Sequence, residues 1–574
     1  MSRGSSHELA ALLLTEVSRF TVISLRKPLY CVYLDKMSAF DMVLKTRVVP
    51  AALEAAGGPE HADQSLAYIG NRLSCRRTYL EHNKSLMGPI FDGRGTEQGG
   101  ILSSEEYQLA NNIELDVANN CGLGVTIGPV HIGSVGAADD TVLVSDSLVK
   151  LQSLLNLSLN FCDETFMKLV QDKSHLVVLS PKNAEIDSSG LSMDNFHVPP
   201  TSSAVHLGLL RANSLSNMPA IQDKIAKHQK ALFPVLSCGG ARGHRGNPAA
   251  SLKVEQLYAA PILFNCLGSL VLNRTEMRAI EFHQKVTLQR LMRLHSHTSH
   301  EAVFFLSGSL NAEALIHIQM FRLLDMIARL GPNNYLFAIG VFSIHNQITS
   351  SWFWRLQELA VKYDLPSPLN ILLSPKSKFT FKKLVKTKVV YFWRNFYIQS
   401  MKVKSSLHFL RSEFLPFGSG PHSVWLSCEG SETAIHAATI QAKILTGKYR
   451  DDKLLSKFSE GLSGSCTLPG CNFYPGDCTH WLSFKCPALS SALSSTLNHS
   501  LEVLKPFPFL LEIVCSALSR SPKDWAQFII DPSTDAAVIV HKQQFGDQSI
   551  WPLFKLSRAM IWCFHRERKR LNCL

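Results

Sequence analysis

Three aspartates sit where short apolar runs end or turn: Asp35 after Tyr30-Cys31-Val32-Tyr33-Leu34, and Asp139 and Asp140 after Ala137-Ala138. A carboxylate at the end of a buried strand costs several kcal/mol of desolvation unless something offsets it. A hard divalent cation is one such partner, because Mg²⁺ takes one or two carboxylates and completes its shell with phosphates and water. Two such ions about 3.5–4 Å apart clamp an in-line phosphoryl displacement, one activating the attacking oxygen and the other steadying the leaving group. Each piece alone has a plainer reading, since an Asp-Asp pair commonly marks a solvated turn and a strand-end Asp a cap. A second set is Cys466, Cys471, His480 and Cys486, two cysteines around a Pro-Gly turn followed by a returning histidine and cysteine. Four soft or borderline ligands in one short stretch suit tetrahedral Zn²⁺. Cys478 is a spare thiol that could substitute, and structural thiols are the alternative.

The elements that must position these groups follow from pattern. Ser5 and Glu8 form a capping box for a helix carrying Leu9, Leu12, Leu13, Val17 and Phe20 at helical spacing. The apolar run 30–35 predicts a buried strand. Helices are expected over 42–57 and 63–71, and paired strands over 72–91. A glycine-rich loop, Gly93-Arg94-Gly95-Thr96-Glu97-Gln98-Gly99-Gly100, precedes a helix from Ser103 to Asn119. That loop lacks the Lys-Ser/Thr ending of a P-loop. Val125–Val144 reads as a β-hairpin with Ala138-Asp139-Asp140 at its tip, followed by a helix near 147–167 and strands near Ser174–Ser180 and Val205–Leu209. This order predicts an α+β fold, a sheet with helices layered on one face.

The chain has 574 residues, 46% hydrophobic and 18% charged, so wholly disordered behaviour is excluded and several domains are expected. The formal charge of +12 is a mild excess that favours a polyanionic partner. No apolar run is long enough to span a membrane, and no secretory signal plan opens the sequence. The cysteines other than the 466–486 group are mostly scattered singly among apolar residues, as at Cys31, Cys75, Cys162 and Cys266, the habit of reduced intracellular thiols.

Taken together, the motifs resemble those of a known family. Tyr33-Leu34-Asp35-Lys36-Met37-Ser38-Ala39-Phe40-Asp41 resembles the first palm motif of reverse transcriptases from non-LTR, LINE-like retrotransposons. Arg94-Gly95-Thr96-Glu97-Gln98-Gly99-Gly100-Ile101-Leu102-Ser103 resembles the second, and Ala137-Ala138-Asp139-Asp140 the catalytic hairpin. Lys173 resembles the lysine of the following motif, and His206-Leu207-Gly208 the primer grip. Ser38 stands where the family usually has Lys, and Ala137 where it has an aromatic residue.

The resemblance covers roughly residues 1–215 and implies a right-hand polymerase palm, an antiparallel sheet backed by helices. It implies RNA-directed DNA synthesis with two Mg²⁺ held by Asp35 and Asp139, with Asp140 beside them and Lys173 as general acid for pyrophosphate. Phe40 would crowd a ribose 2′-hydroxyl, and Arg94, Gln98 and Gly99 would approach the incoming nucleotide. Implied partners are an RNA template, a DNA primer or target and deoxynucleotides, in the nucleus or cytoplasm. The family's finger motifs and an endonuclease are not found before this palm, so an N-terminally truncated copy is expected, with residues 1–30 as a remnant of the fingers. A catalytically dead nucleic-acid-binding protein derived from a retroelement is the alternative.

Behind the palm (31–215), residues 216–365 read as a helical thumb and 366–460 as a basic, aromatic helical connection. Lys376 to Lys404 holds nine basic residues, no acidic one, and interleaved aromatics that could stack on bases or fill a core. The 461–490 stretch resembles the Cys-Cys-His-Cys knuckle that follows the reverse transcriptase in these elements. Residues 491–574 end in a basic helix, either a solvated tail or a phosphate binder.

Overall fold

The computed structural model describes residues 7–55, 70–71, 77–91, 93–96, 103–182, 184–235, 246–411, 417–428, 430–459 and 461–572. The expected helix over 63–71 lies almost wholly outside them. The fold is mixed α+β, as the pattern predicts, with most of its length helical. It divides into two compact units. The first comprises 1–223, 265–276 and 316–386, and the second 224–264, 277–315 and 387–574. The helical stretch 216–365 thus contributes to both.

The first unit is built on a five-stranded sheet. Its centre is β1 (Leu29–Leu34), which pairs antiparallel with β7 (Asp140–Ser145) on one side and β8 (His175–Leu179) on the other. β6 (Ser134–Ala137) extends the β7 side antiparallel, and β11 (Pro200–Thr201) extends the β8 side parallel. All six residues of β1 are buried. A strand apolar at every position, without alternation, must be covered on both faces. It is, which corrects the expectation of helices on one face alone.

Tyr30, Val32 and Leu34 pack with Leu143, Leu176 and Val178 under Leu148, Leu151, Leu154 and Leu155 of α4 (Leu148–Thr165), and Ala118 of α3 (Ser103–Asn120) joins them. On the other face lie α1 (His7–Arg19) and the hairpin of β12 (Ser203–His206) with β13 (Leu209–Ala212). Tyr33 meets the His206 ring at 5.6 Å, and Arg211 donates to the Ala11 carbonyl and Thr15 hydroxyl of α1. α1 is buried from Glu8 through Val17, apolar nearly all round as an interior helix must be.

Two sequence assignments change in detail. The 125–144 stretch is two hairpins, β4 (Val125–Ile127) with β5 (Val130–Ile132), then β6 with β7. The break falls at Gly133, where a Cβ would stand 2.0 Å from the Ala118 carbonyl of α3. Asn119 accepts the Gly133 and Ser134 N–H groups there, at 2.8 and 2.9 Å. The expected strand at Val205–Leu209 is interrupted: Val205 and His206 end β12 and Leu209 begins β13, while Leu207 (φ +52°) and Gly208 (φ +73°), both left-handed, form the turn between them, the pattern of a type I′ connection. The paired strands expected within 72–91 are present as β2 (Arg77–His82) and β3 (Ser85–Phe91).

In the second unit the Trp551–Asn572 helix is the hub. Leu553, Phe554, Leu556, Met560, Ile561, Cys563 and Phe564 are buried, and the helices Glu432–Leu445, Cys478–Leu482, Pro487–Leu504 and Pro522–Ile530 pack on it. The C-terminal basic helix is therefore core from Leu553 to Phe564, while Arg566, Lys569 and Arg570 at its basic end stay exposed. Arg558 is buried too, donating to the hydroxyl and carbonyl of Ser427. No helix among the described residues is long and apolar enough to cross a membrane.

Candidate active site and metal centre

Strand register sets the carboxylates. Leu34 pairs with Thr141, so Asp35 and Asp140, one position further on, face each other at the ends of neighbouring strands. Asp139 lies in the two-residue turn between β6 and β7, where Ala138 takes φ +56°. Asp140 accepts the backbone N–H of Leu207, bringing the His206-Leu207-Gly208 turn onto the hairpin. Burial, then the neighbouring charges of Asp139 and Asp35, push the Asp140 carboxyl above its ordinary range. His206 beneath is buried, neither ring nitrogen has a hydrogen-bond partner among the described residues, and burial drives it down to about 3, so it stays neutral.

Lys173 Nζ lies 3.4 Å from Asp35 Oδ2. It gets there because residues 168–170 run beside 35–37: Val170 N–H donates to the Asp35 carbonyl at 2.8 Å, and Met37 N–H to the Lys168 carbonyl at 2.8 Å. Four segments singled out in the sequence therefore meet at one end of the sheet. They are not deeply buried, however. The Asp35 side chain is 38% exposed, so its desolvation cost is smaller than a buried strand end implies.

The substrate-side residues are placed in part. Phe40 is half-buried, its ring 5.0 Å from that of Tyr107 on α3. Tyr107 is wholly buried and lies within the influence of Asp139 and Asp140, and its hydroxyl has no hydrogen-bond partner among the described residues. Burial first, then nearby acidic groups, hold its proton on well above the ordinary range. Arg94 lays its guanidinium over the Phe166 ring at 4.7 Å. Gly95 and Thr96 N–H groups donate to the Val43 and Phe40 carbonyls, both at 2.9 Å, so the start of the second motif is held against the first. Gln98 and Gly99 lie outside the described residues.

Sequence reasoning missed the support beneath Asp35. Lys36 turns inward, its side chain fully buried, and donates to Glu114 and Asn111 of α3, while Ser158 of α4 donates to Glu114. The signal was present: Asn111 and Glu114 occupy the same row as Tyr107, Ala110 and Ala118, where an apolar face belongs.

The second constellation closes more tightly. One ligand atom from each of Cys466, Cys471, His480 and Cys486 lies within 4.8 Å of the others, and all four residues are buried. Among the described residues no other set of three or more His, Cys, Asp or Glu groups gathers that closely, the three aspartates included. Cys466 and Cys486 sulfurs stand 3.9 Å apart and Cys471 Sγ is 3.3 Å from His480 Nε2. A tetrahedral Zn²⁺ with Zn–S of ~2.3 Å sets its sulfurs ~3.8 Å apart, so the donors fit zinc. Asp477 caps the short Cys478–Leu482 helix by accepting the His480 N–H at 3.1 Å, which orients the imidazole. Phe473 stacks on that ring at 4.5 Å and 8°. Cys486 precedes Pro487 at the start of the Pro487–Leu504 helix.

Burial pushes the Cys466 thiol up, and burial with the Cys466 charge pushes Cys486 up to about 12. A cation must displace those protons to bind. Trp481 Nε1–H donates to Cys466 Sγ at 3.3 Å, a contact that favours the thiolate. Cys478 is buried outside the ligand set, beside Asp451 and Asp477, so it is not the substitute ligand envisaged from spacing. Arg568, read from sequence as part of a basic run, instead lies over the Trp481 ring at 4.4 Å and donates to Asp452 at 2.7 Å. Asp452 in turn accepts the Thr467 N–H inside the knuckle at 2.9 Å.

The thiol–imidazole set can hold a soft or borderline divalent metal, and the half-exposed aspartates with their lysine can present charge to a bound polyphosphate or its cations. No protein-family profile matches this chain, and no curated protein sequence matches it significantly.

Proposed function

We propose that the chain is a reverse transcriptase of non-LTR retrotransposon type in which residues 31–215 form the palm. The observation that supports this most is the meeting of Asp35, Asp139–Asp140, Lys173 and Leu207 at one end of one sheet. These are the segments that resemble the family's motifs in sequence, and nothing in their composition requires them to converge. In this reading a primer 3′-hydroxyl attacks the α-phosphorus of a deoxynucleotide and pyrophosphate leaves. Asp35 and Asp139 would hold Mg²⁺, which when bound lowers the barrier by neutralising charge on both the entering and leaving oxygens. Lys173, beside Asp35, would give its proton to the departing pyrophosphate. Phe40, braced by Tyr107, would exclude a 2′-hydroxyl. The knuckle at 466–486 would be a structural zinc site contacting RNA or target DNA, and action in the nucleus or cytoplasm follows from the same resemblance.

One observation favours a second reading, a nucleic-acid-binding protein without polymerase activity. Asp35 takes its counter-charge from Lys173, and the three carboxylates are not drawn together as a ligand set. Primer extension on poly(rA)/oligo(dT) with Mg²⁺ separates the two. Product that disappears in Asp139→Asn supports the polymerase; tight binding with no product from the unaltered chain supports the second reading.

A further inference from the structure

The Lys378–Lys402 helix buries a single row, Phe381, Val385, Val389, Trp393, Tyr397 and Met401, at four-residue intervals. Its first three turns present a different face to solvent. Lys378, Lys382 and Lys386 form one exposed row, and Phe379 and Lys383 lie in the next. Phe379 is 77% exposed.

This arrangement is locally unfavourable. The helix N-terminus is the positive end of the macrodipole, where acidic residues are stabilising and lysines are not. Lysines four apart repel each other as well. The first turn carries no acidic residue, and the cap is the neutral Ser377, which accepts the Thr380 N–H at 3.3 Å. None of the four lysines makes an ion pair with a described residue. The helix start is nevertheless fixed, since Arg329 bonds the Lys376 carbonyl at 2.8 Å. Lys378 thus stands at the wrong end of the dipole, and the four lysines repel one another beside a bare aromatic ring, a conflict that a bound anion relieves.

We infer that this face binds a single-stranded nucleic acid, the lysines taking its phosphates and Phe379 stacking on an unpaired base. Lysine rows that repeat about every 6 Å along the helix suit a linear polyanion better than one small ion. An exposed ring among them suits unpaired bases better than a closed duplex. This surface goes beyond the proposed catalysis and does not depend on it.

The test uses the full chain and a 30-nucleotide poly(rU), with affinity measured across salt concentrations. Replacing all four lysines with glutamine is expected to lower the log–log salt slope by about 3, at roughly 0.7 per phosphate lost. The pairs Lys378→Gln/Lys382→Gln and Lys383→Gln/Lys386→Gln should each lower it by about half that. Phe379→Ala is expected to weaken binding about tenfold with the slope unchanged. The melting temperature of the lysine variants should be unchanged or higher, because repulsion is removed. An unaltered slope overturns the inference, as does an effect seen on anionic phosphatidylserine vesicles and not on RNA. Loss of primer extension in Asp139→Asn with this slope intact would separate failure of the surface from failure of the polymerase reading.

Discussion

Replacing Lys36 with methionine tests whether the floor beneath Asp35 is held by charge. The lysine side chain is fully buried and Glu114, its partner, is 3% exposed. Methionine nearly matches the volume of the lysine stem but leaves the Glu114 carboxylate in the interior, with only Ser158 donating to it among the bonds described above. Removing one member of a buried pair costs about 3–5 kcal/mol, because the other is stranded without compensation. Removing both strands neither. Lys36→Met/Glu114→Met should therefore recover at least half of the loss, a coupling of about 2 kcal/mol or more. The assay is urea unfolding in parallel with amide hydrogen exchange of the 29–34 strand, which reports the first unit alone. A Lys36→Met loss below about 1 kcal/mol, or a double variant no better than the single, would refute the reasoning.

Zinc should copurify with the protein and be lost in Cys471→Ser and Cys486→Ser, whereas Cys478→Ser should retain it; metal analysis decides, and retention in Cys486→Ser rejects the assigned ligand set. Burial, with Asp477 nearby, raises the Asp451 carboxyl to about 6. The folded state therefore binds that proton more tightly than the unfolded chain. The stabilisation is complete below pH ~4 and is lost as pH rises through about 6. Asp451→Asn, which preserves the cap on the Leu454 N–H, should raise stability at pH 7.5 by about 1–2 kcal/mol and flatten its pH dependence between about 4 and 6; an unchanged profile in thermal melts counts against it.

The parts of the fold legible in the sequence were those written in local pattern. An unbroken apolar run marks β1, and helical spacing marks α1. The four ligands at 466–486 were legible because few other uses fit that combination in so short a stretch. What escaped was set by distant partners. Lys36 reads as a surface residue until α3 supplies Glu114, and Arg568 reads as a phosphate binder until Asp452 and Trp481 enclose it. Leu207 reads as strand in the sequence because left-handed backbone is hard to foresee at any residue other than glycine, and one of this turn's two left-handed positions is a leucine.

The central place of the Trp551–Asn572 helix in the second unit bears on how the protein is made. On the ribosome, the first unit has all of its segments once residue 386 has cleared the exit tunnel. The second has held residues from 224 onward waiting through most of synthesis, and it cannot close until residue 572 emerges. Translation halted anywhere in the last tenth of this sequence therefore leaves a finished half joined to one whose hydrophobic interior stays open to chaperones and proteases.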